Sequence, residues 1–201
     1  MRQLTETVCG LVPVYNNPVT IGRVVDGLRQ ATGHVVIVDD GSDSETRSII
    51  EKLAKQDPEH IHARHLPVNR GKGAAVKAGL QTAFELGFSH ALQVDADGQH
   101  DLGDIPLFLT GMRNSPGALI LGAPVFGDDI PLIRKYGRKL TTLMIALEAG
   151  TLSLPDAMCG FRLYPVAPIC RLRTLCSRMC FDPEIMIRAY WAGVPVESVP
   201  T

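Results

Sequence analysis

Asp95 and Asp97, followed by Gly98, Gln99 and His100, are the residues of this chain whose types and spacing best suit chemistry. The turn that Gly98 imposes after an apolar run can gather Asp95, Asp97 and Gln99 around one point. Hard oxygen donors of this kind suit Mg²⁺ or Mn²⁺, ions that fill their remaining positions with water and with the phosphates of a ligand. A solvated turn rich in Asp and Gly has the same composition. His100 reads as a helix-entry residue, or one standing behind the ligands, rather than as a ligand. A second acidic pair, Asp39 and Asp40, closes the apolar run Val35–Val38. Helix capping accounts for Ser42 to Glu45, with Ser42 or Ser44 as the N-cap, but not for two adjacent carboxylates at the end of an apolar strand. Desolvation there is costly unless a donor or a cation compensates, and a nucleobase N–H or a ribose hydroxyl is a suitable donor.

Other segments carry glycine or positive charge in patterns that suit anions. Asn69-Arg70-Gly71-Lys72-Gly73-Ala74-Ala75 enters a helix through glycines, so backbone N–H groups and Lys72 can face an anion. It is neither the phosphate loop GxxxxGK[ST] nor GxGxxG. Arg134, Lys135, Arg138 and Lys139 flank the apolar stripe of a helix expected over residues 132–147. Such a helix packs on the core with solvated charges, lies on an anionic membrane surface, or holds a phosphate through guanidinium forks. Asp156 and Arg162 bracket a loop before a short strand, and Cys159 between them reads as a packing residue. The five cysteines are odd in number, without CxxC or zinc-finger spacing, and read as free thiols of a cytoplasmic protein.

The elements that must position these residues follow from periodicity. Short β-branched runs begin at Val8, Val35, Ile61, Ala91 and Ala118, and helical patterns separate them. That alternation predicts an α/β fold, a mostly parallel twisted sheet with helices on both faces. Right-handed crossovers then place the strands' C-terminal ends, with Pro13 to Asn16, Asp39 to Ser42 and Asp95 to Gly98, on one edge. After Gly122 come the basic helix, loops, a helix from about Pro183 to Trp191 and a last strand, Pro195–Val199. One domain is expected over 1–201, with a ligand-binding half at 1–122 and a second half at 123–201. A chain of 201 residues with 45% hydrophobic content builds a core unaided. The net charge of −1 argues against a general nucleic-acid binder. It conceals a balance of −5 over residues 1–130 and +4 over 131–201, as two surfaces with different partners would show. The first residues lack the basic-then-apolar layout of a signal peptide, and no run approaches about 18 apolar residues, so no membrane span is expected.

In order and spacing, Pro-Val-Tyr-Asn at 13–16, Val-Asp-Asp-Gly-Ser at 38–42, the glycine-rich 69–75, Asp-Ala-Asp-Gly-Gln-His at 95–100, Asp156 with Gly-Phe-Arg at 160–162, and Phe181 with Glu184 resemble the family-two inverting glycosyltransferases. Within these they resemble the polyprenyl-phosphate sugar transferases of the dolichyl-phosphate mannose synthase type. The resemblance runs from about Val8 to the last residue and implies the GT-A fold, a Rossmann-like nucleotide-binding half plus an acceptor half. It implies a UDP- or GDP-linked sugar donor and a lipid-phosphate acceptor at the membrane surface, so the location would be cytoplasmic and peripheral. By resemblance, Pro13, Tyr15 and Asp40 contact base and ribose, Asp40 accepting from a ring N–H, with Asn16, Asp39 and Lys72 also on the donor side. Asp95 holds the ribose or metal side, and Asp97 with Gln99 ligates the Mg²⁺ or Mn²⁺ that bridges the diphosphate. Arg134 and Arg138 stand near the acceptor phosphate, with Arg162 assisting.

The reaction so implied is a single displacement at the anomeric carbon with inversion. A phosphate acceptor is already anionic and needs no strong base, whereas a hydroxyl acceptor on a glycan or another lipid needs one, for which Asp156 is the candidate. A third reading is a non-catalytic nucleotide-sugar binding module. A dinucleotide dehydrogenase is excluded because GxGxxG is absent after the first strand. Family members usually continue beyond the position of Thr201, so the acceptor half is expected to be open or incomplete.

Overall fold

The computed structural model describes residues 7–124, 144–151, 154–155 and 159–201. Seven strands form one sheet in the order β3-β2-β1-β4-β6-β5-β7: β1 Val8–Val14, β2 Val35–Asp39, β3 Ile61–His65, β4 His90–Gln93, β5 Leu119–Ala123, β6 Arg162–Pro165 and β7 Val196–Pro200. β1, β2, β3 and β4 are parallel neighbours, as are β5 and β7. β6 runs antiparallel between β4 and β5, with Arg162 opposite Gln93. The expected mostly parallel sheet is present, and β6 is the antiparallel strand within it, a direction that alternating patterns do not reveal. Its reversal brings the segment before it, residues 159–161, to the edge where β4 ends.

The helices are α1 Ile21–Thr32, α2 Ser44–Gln56, α3 Lys72–Glu85, α4 Ile105–Asn114, α5 described over residues 144–149, α6 Val166–Cys170 and α7 Phe181–Trp191. They cover both faces of the sheet, and the strand side chains divide accordingly. Cys9, Leu11, Val36 and Val38 enter a core with Val76 and Leu80 of α3 and with Phe181, Ile185 and Met186 of α7. Val12, Val14 and Ile37 enter another with Val24, Leu28, Ile105 and Phe108. The period of two in β1 and β2 sends neighbouring residues to opposite cores, so these strands read as unbroken apolar runs.

Local chemistry explains the turns that shape the edge. Asp43, not Ser42 or Ser44, is the N-cap of α2, its carboxylate accepting the Thr46 N–H at 2.8 Å. Ser42 instead accepts the Asn16 N–H at 3.1 Å and ties the β1 and β2 loops together. Gly41, at φ +72°, admits no side chain, since a Cβ there would fall 2.5–2.8 Å from the backbone of Val68 and Asn69. The expectation of five free thiols is corrected. Cys176 and Cys180 form a disulfide, their Cα atoms 5.6 Å apart, while Cys9, Cys159 and Cys170 are free. Helical propensity does not foretell the turn that brings these two residues together, which is why their spacing gives no sign of the pairing. Lys135, Lys139, Arg134, Arg138 and Asp156 lie outside the described residues.

Candidate functional site

The turns that end β1, β2 and β4 meet at the strand edge around a cavity of about 460 Å³. Pro13 and Tyr15 from β1's end, Asp40 from β2's, Asn69, Gly71 and Lys72 from the entry to α3, and Asp95 and Asp97 from β4's all line it. Asn17, Arg178 and Met179 line it too. A second cavity of about 460 Å³ is lined by Asp95, Asp97, Gln99, His100, Cys159, Gly160 and Phe161, among others. Asp95 and Asp97 border both.

Each carboxylate has its own environment. Asp40 is 3% exposed and accepts the Arg70 and Gly71 N–H groups at 2.8 Å each. Asp39 is 1% exposed, accepts the Ser42 N–H at 2.8 Å, and stands 2.8 Å from His65 Nδ1. The expectation that a ligand must compensate these buried charges is therefore corrected, because backbone amides and a histidine already do so. Asp39 points to those partners and does not line the cavity, whereas Asp40 does and keeps lone pairs for a ligand donor. Asn16, expected on the donor side, is exposed, and at φ 52° its side-chain oxygen accepts the Asp43 N–H at 2.9 Å, a contact that braces the loop.

Asp39 carries a pH prediction. Burial pushes its carboxyl up, but the hydrogen bonds from His65 and Ser42 outweigh that and hold it below the usual value. A carboxyl lowered in the folded state stabilises the fold above the unfolded pKa of about 3.9, and that contribution is lost as pH falls through the lower folded value. Asp39→Asn is expected to unfold at lower urea than the parent at pH 6 and to converge with it in acid. Parallel stability curves across that range would remove Asp39 from the linkage.

Asp95 stands at the centre of an alternating row of charge. Lys72 Nζ lies 2.8 Å from both of its oxygens and 3.6 Å from Asp182 Oδ2, and Arg162 lies 3.6 Å from Asp182 Oδ1. Burial pushes the Asp95 carboxyl up, but His100 and the Lys72 ammonium prevail and hold it at about 2. The Lys72 charge, expected to face a ligand anion, is thus already engaged by protein carboxylates. His100 Nε2 is 3.8 Å from Asp95 and its ring packs on Phe161, the supporting place expected for it.

Arg162, expected to assist at the acceptor, is corrected to a positioning role. It is fully buried, donating from Nε to the Cys159 carbonyl at 2.8 Å and from Nη1 to the Asp182 carbonyl at 2.9 Å. The amide of Gln93 donates to the Gly160 carbonyl at 2.8 Å and accepts from Tyr164 Oη at 3.0 Å. These bonds pin residues 159–161 against Asp95. A Cβ on Gly160 would collide with the Asp95 carboxylate and stand 2.7 Å from Lys72 Nζ. Gly160→Ala is expected to displace that pair and lower turnover roughly 10- to 100-fold, the scale set by small misplacements of reacting groups. A steady-state assay with unchanged turnover would show that the pair's position is immaterial. Burial also pushes the Cys159 thiol up, in keeping with a packing residue.

A divalent cation fits the open side of this set. Among the described residues no three His, Cys, Asp or Glu side chains stand close enough to enclose a metal. Asp97, at the cavities' shared border, and Gln99, on the second cavity, are exposed, however, and Asp97 spends one oxygen on the Gln99 N–H at 3.0 Å. One or two hard oxygens with the remaining positions open is the donor set of an ion that is completed by water and phosphates.

Arg178, Met179 and Asp182 escape sequence reasoning because they are distant in the chain from the acidic motifs, and only the packing of 177–182 on α3 brings them in. Ser177 accepts the Ala74 N–H through its carbonyl at 2.9 Å, a contact no local pattern signals.

Comparison with known proteins identifies the family and the fold. Residues 10–171 match the model of glycosyl transferase family 2. The polyprenol monophosphomannose synthase of Mycolicibacterium smegmatis is 35% identical, over 98% of this chain and 77% of that protein. A dolichyl-phosphate beta-glucosyltransferase of Trichomonas vaginalis is 28% identical over 94% of this chain, which spans 63% of that protein's length. Among solved structures, glucosyl-3-phosphoglycerate synthase from Mycobacterium tuberculosis, with Mn²⁺, UDP and phosphoglyceric acid, superposes with a TM-score of 0.74 at 15% identity, over 98% of this chain and 69% of that one. The fold is therefore the GT-A type expected from the motifs, and with a family match over most of its length the chain belongs to glycosyl transferase family 2.

Proposed function

We propose that this chain transfers a hexose from a nucleoside-diphosphate sugar to a polyprenyl phosphate at a membrane surface, by a single displacement with inversion. The observation that carries the reading is the shared border of the cavities. Asp95 and Asp97 line both a cavity bordered by Tyr15, Asp40 and Lys72 and a second one bordered by Gln99, His100 and Phe161. Donor and acceptor would thus meet at the carboxylates common to both. The acceptor class is supported by relatives named for polyprenol phosphate and for undecaprenyl phosphate, the latter from Micrococcus luteus at 31% identity.

In this reading Asp40 accepts from a ring N–H of the base, and Pro13 and Tyr15 flank it. Lys72 keeps Asp95 ionised and fixed, and Asp182, itself paired with Arg162, holds Lys72 in turn. Asp97 with Gln99, and Asp95 beside them, would hold the Mg²⁺ or Mn²⁺. Bound there, it would supply Lewis-acid neutralisation of the nucleoside-diphosphate leaving group. A phosphate acceptor arrives ionised, so no described side chain has to take a proton from it. Arg134 and Arg138 are proposed to meet the acceptor phosphate, and Asp156 to serve as base if the acceptor is a hydroxyl. Among the described residues no helix is long and apolar enough to cross a membrane, and a peripheral association is proposed.

Calorimetric titration with UDP and with GDP, with and without Mn²⁺, tests the donor half, and absence of binding by either overturns it. Transfer from a labelled nucleotide sugar to a polyprenyl phosphate tests the acceptor half. Product formed only on hydroxyl-bearing glycans would replace it.

A further inference from the structure

The loop between α6 and α7 delivers a cation to the nucleotide cavity that the acidic motifs do not announce. Arg178 lines that cavity beside Met179 and is absent from the lining of the second one. Its place is set by contacts at the α3 entry. A Cβ on Gly71 would stand 2.6 Å from Arg178 Cγ, and Gly71 N–H is itself bound to Asp40 Oδ2 at 2.8 Å. The stem of Arg178 is therefore packed at the α3 entry, beside the amide that binds Asp40. The loop is anchored from several sides: Ser177 O accepts the Ala74 N–H at 2.9 Å, Cys176 O accepts from Lys77 Nζ at 2.9 Å, and Glu184 accepts the Leu175 and Cys176 N–H groups. The Cys176–Cys180 disulfide closes it around Arg178. The exposed guanidinium itself has no hydrogen-bond or ion-pair partner among the described residues, unlike Lys72 and Arg162 in the same edge.

We infer that Arg178 is a specificity-determining residue that reads the donor's base, donating to a carbonyl on the edge where Asp40 accepts a ring N–H. An acceptor and a donor side by side match a base that shows a ring N–H next to a carbonyl, as uracil and guanine do. Adenine and cytosine show no such pair. A planar fork suits this edge better than a point charge does. Tyr15 and Met179, 47% and 66% exposed, supply the apolar surface against which a base can lie. The inference rests on the nucleotide-sugar reading above and adds to it which bases are taken and why.

Titrating UDP, GDP, ADP and CDP, each with Mn²⁺, into the parent chain, Arg178→Ala and Arg178→Lys tests it. The parent is expected to favour UDP or GDP. Arg178→Ala is expected to weaken that nucleotide about tenfold, the scale of one good base contact, with ADP and CDP unchanged and the melting temperature unaltered. Arg178→Lys should behave like the alanine variant. Unchanged affinities, an equal loss for all four nucleotides, full recovery by lysine, or a parent that binds all four alike each overturns the role, the second and third because they describe a phosphate contact. A parent that binds none of the four overturns the donor reading as well, and so separates the two failures.

Discussion

Asp97→Ala is expected to lower sugar transfer by about 10²- to 10³-fold, the cost of removing a group aimed at charge that develops in the transition state. The expectation follows from where Asp97 sits. It is exposed at the border shared by both cavities, and its internal bond is the short turn contact with the Gln99 N–H. Little of the fold depends on it, so the melting temperature without nucleotide should stay with the parent. Asp97→Asn keeps the shape and removes the charge, and it should be nearly as impaired. Transfer measured across a Mn²⁺ titration separates the possibilities: either variant retaining parental turnover at saturating metal would remove the carboxylate from the cation site. Asp95 cannot serve as the cleaner probe, because its loss would also strand Lys72 against Asp182.

Arg162→Ala is expected to destabilise the fold by about 3–5 kcal/mol, the usual cost of breaking a buried ion pair by deleting one partner. Arg162 is fully buried, and its removal leaves the Cys159 and Asp182 carbonyls without their donors and an Asp182 carboxylate, 5% exposed, with Lys72 as its remaining counter-charge. It also empties the space between β6 and the start of α7. Urea unfolding should show a lower midpoint with the slope unchanged. Arg162→Met combined with Asp182→Asn refills the volume and removes the orphaned charge, and should recover part of the loss. If Arg162→Ala costs less than about 1 kcal/mol, the range of an exposed pair, the burial of this network has no energetic weight. The two predictions are complementary. Asp97 is exposed and costs activity, whereas Arg162 is buried and costs stability first.

Much of the site is legible in the amino-acid sequence because its residues end strands. An apolar run that stops at Asp39-Asp40 or at Asp95 announces both the strand and the polar group at its tip, and the alternation of runs and helices places those tips on one edge. The glycine-rich entry at 69–75 is legible as a helix start, but what it binds is not. Its composition suggests an anion for Lys72. Packing instead gives it Asp95 and Asp182, and gives the amides of Arg70 and Gly71 to Asp40. Charge alone does not say whether a partner is a ligand or the protein itself, since either satisfies a buried carboxylate equally well.

By itself the sequence determined the α/β layering, the edge that carries the chemistry, and the family, because each rests on periodicity or on motifs continuous over a few residues. Only the tertiary structure decided that β6 runs backwards between β4 and β5, that Arg162 is a buried brace, and that Arg178 reaches the cavity lined by Asp40, Asp95 and Asp97. Those outcomes depend on contacts between residues far apart in the chain, such as Ala74 with Ser177 and Gln93 with Gly160. Local pattern constrains how a segment folds, and only packing constrains which distant segment it meets.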